Sequence, residues 1–307
     1  MGASTSRSFV AEGHSTVAPA EREAIDAALQ AVCDRYITHI AGPVAEAIRY
    51  SLMGEGKRLR ARLLLEAYRA AGGADDPMEL AAAVEVVHAY SLVHDDLPCM
   101  DDDDMRRGRA TVHRVYGVVT ATAAGLAMVP LAARCAFNGG RTLGLSKAES
   151  ARLVATLMRA AGAGGMIGGQ LLDLEGEGIA LTLEQLERIH HAKTGELIRA
   201  SVRLGGMAAR APDDRIDALD CYGRDIGLAF QIADDLLDET STTDQIGKTA
   251  GRDRELRKST YPALLGVEGS RQRAVALVEE GCSALRGAGL LTENFERLAR
   301  YIVERRS

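Results

Sequence analysis

An all-α domain of roughly ten helices is what the sequence predicts, and three observations predict it. Apolar residues recur at three- and four-residue steps nearly to the end of the chain, with no alternating apolar–polar series to suggest a strand. Only 7 of the 307 residues are Pro while Ala abounds, and both facts favour helix over sheet. No linker divides the chain, so residues 1–307 are expected to form a single domain, with 1–20 loosely ordered.

The elements follow in order. The opening MGASTSRSFVAEGHSTVAPA has no apolar run, so no secretory signal is expected in it, although MGASTS fits the permissive myristoylation pattern at Gly2. Pro43 to Met53 and Lys57 to Ala71 read as helices parted at Gly54 and Gly56. Gly72-Gly73 and Asp75-Asp76-Pro77 stop the second and start a third, because Pro suits a first helical turn. Met78 to about Asp96 then carries Leu80, Val84, Val87, Ser91 and Leu92 at helical steps. Val115 to Ala133 is uncharged over nineteen residues. Its Ala, Gly and Thr, with Pro130 inside, are too weakly apolar for a membrane span, and a buried helix is predicted. Further helices are predicted over 147–173, 183–206, 213–238, 271–287 and 292–305, separated by Gly-rich or polar stretches at 138–145, 174–181, 207–212 and 239–259. The stretch GAGGMIGGQ (162–170) lacks the preceding strand that a dinucleotide fingerprint needs, so its glycines read as a close helix–helix approach.

Charge and cysteine usage bound the function. Against 37 Lys and Arg stand 43 Asp and Glu, a net charge of −6, which suits no nucleic-acid binder, since phosphate contacts need concentrated cations. Five widely spaced Cys with no CxxC pair suggest neither zinc nor a disulfide framework, and reduced thiols in a cytoplasmic protein are expected.

Two acidic clusters carry the chemistry. The first, His94-Asp95-Asp96-Leu97-Pro98-Cys99-Met100-Asp101-Asp102-Asp103-Asp104-Met105-Arg106-Arg107-Gly108, follows directly on an apolar helix. A charge run is usually a solvated face. Here the acids begin at the end of a buried helix, enclose a Pro and precede two Arg. At about 100° per residue Asp95 and Asp101 fall on different faces of a regular helix. A bulge at Pro98 would let a later Asp return to the first face, and helical geometry alone leaves Asp101 and Asp102 both open. In the second cluster, Phe230-Gln231-Ile232-Ala233-Asp234-Asp235-Leu236-Leu237-Asp238, Asp234 and Asp238 share a helical face with Asp235 on its shoulder. Carboxylates so placed repel unless a cation bridges them. Oxygen-only donors select a hard ion, magnesium before zinc. The order of acids is not that of an EF-hand. Cations surround both clusters: Lys57, Arg58 and Arg60; Arg106 and Arg107; Lys193; Lys248 and Lys258. Together they suggest two anionic groups, one held through magnesium and one by cations alone.

On these motifs the chain resembles the bacterial trans-prenyl diphosphate synthases. The matching segments are GKRLR (56–60), EVVHAYSLVHDDLPCMDDDDMRRGRATVH (85–113), GGQLLDLEGEG (168–178), LERIHHAKTGELIRASVRLG (186–205), GLAFQIADDLLDE (227–239) and GKTAGRDRELRKSTYPALLG (247–266). The resemblance implies long helices around a central cavity, the isoprenoid synthase fold, usually as a homodimer. It implies magnesium-dependent condensation of isopentenyl diphosphate with an allylic diphosphate. Three magnesium ions would be held by Asp95, Asp101 and Asp234, with Asp96, Asp235 and Asp238 assisting. Arg106, Lys193 and Lys258 would bind the allylic diphosphate, and Lys57, Arg60, His88 and Arg107 isopentenyl diphosphate; Lys193, Thr194 and Gln231 would stabilise the allylic cation. Gln170 and Asp173 would line the same cavity. A polar lid over 240–259, carrying Lys248 and Lys258, would close on the site.

The chain departs from the pattern where relatives carry GEA…AGDALL. Val118 stands for the usual Glu and Leu126 for the usual Asp, and Ala61 replaces a Pro after GKRLR. A terpene cyclase would pair its DDxxD with a second motif of mixed Asn, Ser and Glu character, and an inactive partner subunit would have lost a metal carboxylate; neither fits. Product length is expected to depend on Tyr90 and Ser91, five and four residues before Asp95, or one to one and a half turns below the diphosphate site at about 5.4 Å per turn. An aromatic there implies the fifteen-carbon farnesyl diphosphate, with the twenty-carbon product as the alternative.

Overall fold

The structure is a computed structural model that describes residues 19–40, 42–240 and 258–304. Its helices are α1 (Pro19–Tyr36), α2 (Pro43–Leu52), α3 (Leu59–Ala70), α4 (Met78–Asp95), α5 (Val112–Tyr116), α6 (Val118–Thr142), α7 (Lys147–Ala161), α8 (Met166–Glu175), α9 (Leu183–His190), α10 (Glu196–Ala208), α11 (Asp213–Thr240), α12 (Tyr261–Gly287) and α13 (Glu293–Glu304). A short antiparallel ribbon pairs β1 (Met105–Arg106) with β2 (Arg109–Ala110). The fold is all-α, as the periodicity predicts.

α4 lies at the centre. Leu80, Ala81, Ala82, Ala83, Val84, Val86 and Val87 are all buried, and a helix apolar on every side has to be enclosed. α6 packs on one flank and α3 on another, so the acidic end of α4 emerges among the helices rather than at a free surface. A second apolar layer joins α3, α10, α11, α12 and α13 through Leu63, Val202, Ile226, Tyr261 and Phe295. α11 carries the second acidic cluster, and Asp234 there is close enough to Arg60 of α3 to act on its charge.

Local chemistry sets several ends. Ser146 and Glu149 form a reciprocal capping box at the start of α7, as do Thr182 and Gln185 at α9. Pro43 starts α2 where its missing N–H costs nothing.

Some predicted boundaries differ from those observed. The run 147–173 is two helices, broken at Gly162–Gly165. The run 183–206 contains a π-helical turn over His191–Gly195. α6 continues to Thr142 through the Gly pair of the predicted 138–145 break, and the ribbon at 105–110 has no counterpart in the predicted elements. α12 begins at Tyr261, ten residues before the predicted start, and kinks at Gly266, φ 72°. The uncharged run from Val115 is not one buried helix. It breaks at Gly117, and α6 buries Ala121, Ala124, Met128 and Ala132 while exposing Val118, Val119 and Leu126. By length and composition alone α6 could cross a membrane; its inner side packs along α4.

Candidate active site

The first cluster turns where Pro98 forbids a regular helix. Asp101 N–H donates to the Asp95 carbonyl at 2.8 Å, and Met100 and Asp102 N–H both donate to the Leu97 carbonyl. This back-folded turn brings Asp101, and not Asp102, to the Asp95 side. Asp102 takes left-handed backbone (φ 51°) and is exposed, while Asp101 Oδ1 accepts from Gln170 Nε2 of α8 at 3.3 Å. The choice that helical geometry left open is thus made by the turn. Burial, together with the charges of Asp101 and Asp173, raises the Asp95 pKa to about 6 against the opposing pull of Lys193 and Arg106. Asp96 is buried and likewise raised to about 6, and it accepts from the Arg106 guanidinium at 2.6 Å.

Lys193 and Thr194 lie in the π-turn, a local widening of the helix that is frequent at functional sites. Gly169 of α8 permits the approach, since a Cβ there would stand 2.1 Å from the Lys193 nitrogen. Lys193 Nζ lies 2.6 Å from Asp173 Oδ2, and Lys258 Nζ lies 2.9 Å from the same oxygen. Burial would raise the Asp173 pKa, but the two ammonium groups outweigh it and hold the carboxyl at about 2. Residue 258 is held in place next door, where Ser259 accepts from Leu181 N–H and donates to the Ile179 carbonyl.

On α11, Asp234 and Asp238 are half-buried and Asp235 is fully buried, matching the face and shoulder read from spacing. Asp235 is fully engaged by the protein. Its carboxylate lies 3.1 Å from His190 Nε2 and accepts from Gln231 Nε2 at 3.2 Å and Tyr261 N–H at 3.0 Å. Gln231 in turn accepts from the Thr194 hydroxyl at 2.8 Å. A continuous chain therefore runs from the α12 N-terminus through Asp235 and Gln231 to Thr194.

The second cationic group is built differently. Arg58, buried, is spent on Asp26 and on the Leu52 and Gly54 carbonyls. Arg107 donates to the Glu55 carbonyl at 2.6 Å, and Lys57 lies over the Tyr301 ring. Arg60 Nε and His88 Nδ1 are buried without a hydrogen-bond partner. Burial lowers the Arg60 pKa to about 10, and burial with the neighbouring Arg60 and Arg107 charges pushes His88 well down. Asp234 is close enough to oppose the Arg60 shift, so the two halves of the site feel each other's charge. Buried donors left open amid positive potential are what an anion would satisfy.

The donor chemistry fits magnesium. Among the described residues no three Asp, Glu, His or Cys side chains close into a ready-made cage. Magnesium needs none, because it keeps waters and takes phosphate oxygens beside one or two carboxylates.

Ala61 also finds its explanation. Its N–H, which a Pro would lack, donates to the buried Glu85 carboxylate at 3.0 Å, so the departure leaves no orphaned donor. Val118 and Leu126 face outward and do not line the site; Leu126 is 62% exposed. Tyr90 is buried in α4, with Ser91 half-buried beside it. Lys248 and most of the expected lid lie outside the described residues. The supporting roles of His190 and Tyr261 leave no mark in the sequence beyond a His pair beside Lys193.

The model of the polyprenyl synthetase family matches residues 42–283. Farnesyl diphosphate synthase of Micrococcus luteus is 43% identical over 261 residues, covering 85% of this chain and 88% of that protein. That of Escherichia coli (strain K12) is 44% identical over 268 residues, covering 86% and 89%. The crystal structure of a geranyltransferase from Helicobacter pylori, complexed with magnesium and isoprenyl diphosphate, superposes with a TM-score of 0.79 at 30% identity, covering 94% of this chain and 98% of that one.

Proposed function

The chain belongs to the polyprenyl synthetase family, and from that premise we propose that it condenses isopentenyl diphosphate head-to-tail with an allylic diphosphate to give farnesyl diphosphate. The observation that carries this reading is the pairing of two unlike anion sites. Carboxylates and ammonium groups meet around Asp95, Asp101, Asp173 and Lys193, beside buried, unpartnered Arg60 and His88 nitrogens.

Three magnesium ions, bound by Asp95, Asp101 and Asp234 with Asp96 and Asp238 nearby, would supply Lewis acidity and charge neutralisation for the allylic diphosphate. Lys193 and Lys258, with Arg106, take the remaining oxygens of that group, and Asp173 holds both ammonium groups at the site until the diphosphate arrives. Arg60, His88, Arg107 and Lys57 fix isopentenyl diphosphate through its charged end alone, leaving its alkene free to attack. Thr194 and Gln231 turn oxygen dipoles toward the allylic cation as the C–O bond breaks. Asp235 sets the rotamer of Gln231 through Nε2 and so the direction of those dipoles; its part in metal binding runs through this orientation. After the new C–C bond forms, a proton leaves to the departing diphosphate, and no side chain need act as base.

Incubating the pure protein with geranyl diphosphate, isopentenyl diphosphate and magnesium tests the reading. Dephosphorylated products should be mainly the fifteen-carbon alcohol. A cyclic hydrocarbon would point to a cyclase, and no product to an inactive partner subunit.

The same reading takes the enzyme as a cytoplasmic homodimer. The outward side of α6, where Val118, Val119 and Leu126 are exposed, together with exposed Val115 of α5, is the surface a second copy would cover, since apolar patches of this kind mark interfaces. Light scattering should give twice the chain mass for the wild type and a larger monomer fraction for Leu126→Asp with Val119→Lys. A wild-type monomer would refute the assignment.

A further inference from the structure

Tyr90 does not hold its own position. It sits in α4 with 7% of its surface exposed, one helical turn before His94. The His94 imidazole meets its ring edge-on, with centroids 4.9 Å apart and planes at 69°. Such a contact fixes the rotation of both rings.

His94 is itself held from the neighbouring helix. Its Nε2 lies 3.2 Å from the Thr122 carbonyl of α6, and because a carbonyl only accepts, that nitrogen carries the proton. One turn further along α6, Gly125 leaves the space the imidazole fills. A Cβ at 125 would stand 2.1 Å from His94 Nε2 and 2.3 Å from Cδ2. No side chain larger than hydrogen is compatible with the ring where it is. Thr122 and Gly125 on one side and Tyr90 on the other leave the imidazole one place to be.

We propose that His94 is a positioning residue for product length, a wedge that α6 presses against Tyr90 so that the Tyr90 ring closes the cavity below the first diphosphate site. The inference rests on the reading of Tyr90 as the floor of that cavity, and it adds that the floor is rigid only because His94 backs it. A lone Tyr ring beside empty space could swing into another rotamer and let the prenyl tail pass. With the wedge in place that rotamer is blocked. Gly125 matters here through the space it leaves rather than through backbone freedom, since α6 is regular at that position.

The test is a product-length cycle with four proteins: wild type, His94→Ala, Tyr90→Ala and the double variant, each given geranyl diphosphate and excess isopentenyl diphosphate. The wild type should stop mainly at fifteen carbons. His94→Ala should raise the ratio of twenty- to fifteen-carbon alcohol at least fivefold, and Tyr90→Ala should raise it as much or more. In the Tyr90→Ala background, removing His94 should add less than twofold, because residues acting through one contact are not additive. Gly125→Ala, which expels the imidazole from the other side, should also lengthen the product and stands in should His94→Ala prove insoluble. A change confined to melting temperature, with the wild-type product ratio kept by both the His94 and Gly125 variants, would overturn the proposal. Equal lengthening by His94→Ala with and without Tyr90 would overturn it too, by showing that His94 acts alone. If Tyr90→Ala itself leaves the ratio unchanged, the floor reading fails and the wedge with it, whereas a lengthened Tyr90→Ala beside an unchanged His94→Ala would refute the wedge alone.

Discussion

Asp95→Ala and Asp234→Ala are each expected to lower turnover by about a thousandfold or more, roughly 4 kcal/mol of barrier, with helicity unchanged. The two residues lie on different helices, yet both face the same charged interior: Lys193 and Arg106 act on Asp95, and Asp234 acts on Arg60. The fold should tolerate the first change well. Burial holds the Asp95 carboxyl at about 6, so at neutral pH its charge is a cost to the ligand-free protein that Ala removes. The sign follows from linkage. A carboxyl whose pKa is raised in the folded state favours folding below its unfolded value, and that favour is lost as pH rises toward the folded value. At pH 7 Asp95→Ala should therefore melt no lower than the wild type, a trade of stability for activity common at active sites. Circular dichroism melting and steady-state turnover check both halves. Normal turnover in either variant would defeat the assignment of these carboxylates to the reaction.

Arg60→Ala should raise KM for isopentenyl diphosphate by about a hundredfold, roughly 2.7 kcal/mol, while KM for the allylic substrate changes less than threefold. The argument is the unpaired Arg60 Nε, buried next to an equally unpartnered His88 Nδ1. A buried guanidinium whose Nε has no partner, its pKa lowered to about 10 by burial, is expensive to keep unless an anion completes it. Lys193 and Lys258, by contrast, already share Asp173, so the allylic side keeps its own cations when Arg60 is lost. Initial rates over both substrates separate the outcomes. An equal rise in both KM values would show that the two anion sites are not distinct.

How far the site could be read in advance differs residue by residue. Asp234 and Asp238 were placed on one face and Asp235 on its shoulder by spacing alone, since a regular helix turns by a fixed angle per residue. What spacing could not tell is that the shoulder position is buried against His190 and the α12 N-terminus, partners 45 and 26 residues away. The π-turn around Lys193 and Thr194 left no mark in the apolar periodicity, because five residues are too few to shift it visibly. The prediction of a buried helix over Val115 to Ala133 erred because an Ala- and Gly-rich run reads as apolar on all sides. Only the packing of α6 on α4 shows which side is turned out.

The sequence by itself determined the helical class, the two carboxylate clusters, the preference for a hard cation and the basic residues around it, because each depends on residue type and on spacing within one or two turns. The tertiary structure alone decided that Asp101 rather than Asp102 comes back beside Asp95, that Asp173 holds Lys193 and Lys258, that Arg60 and His88 stand open, and that α6 wedges His94 against Tyr90. Each of these rests on groups brought together from distant parts of the chain or on a turn that leaves the regular helix. Such contacts arise only once the buried faces of the helices have found one another.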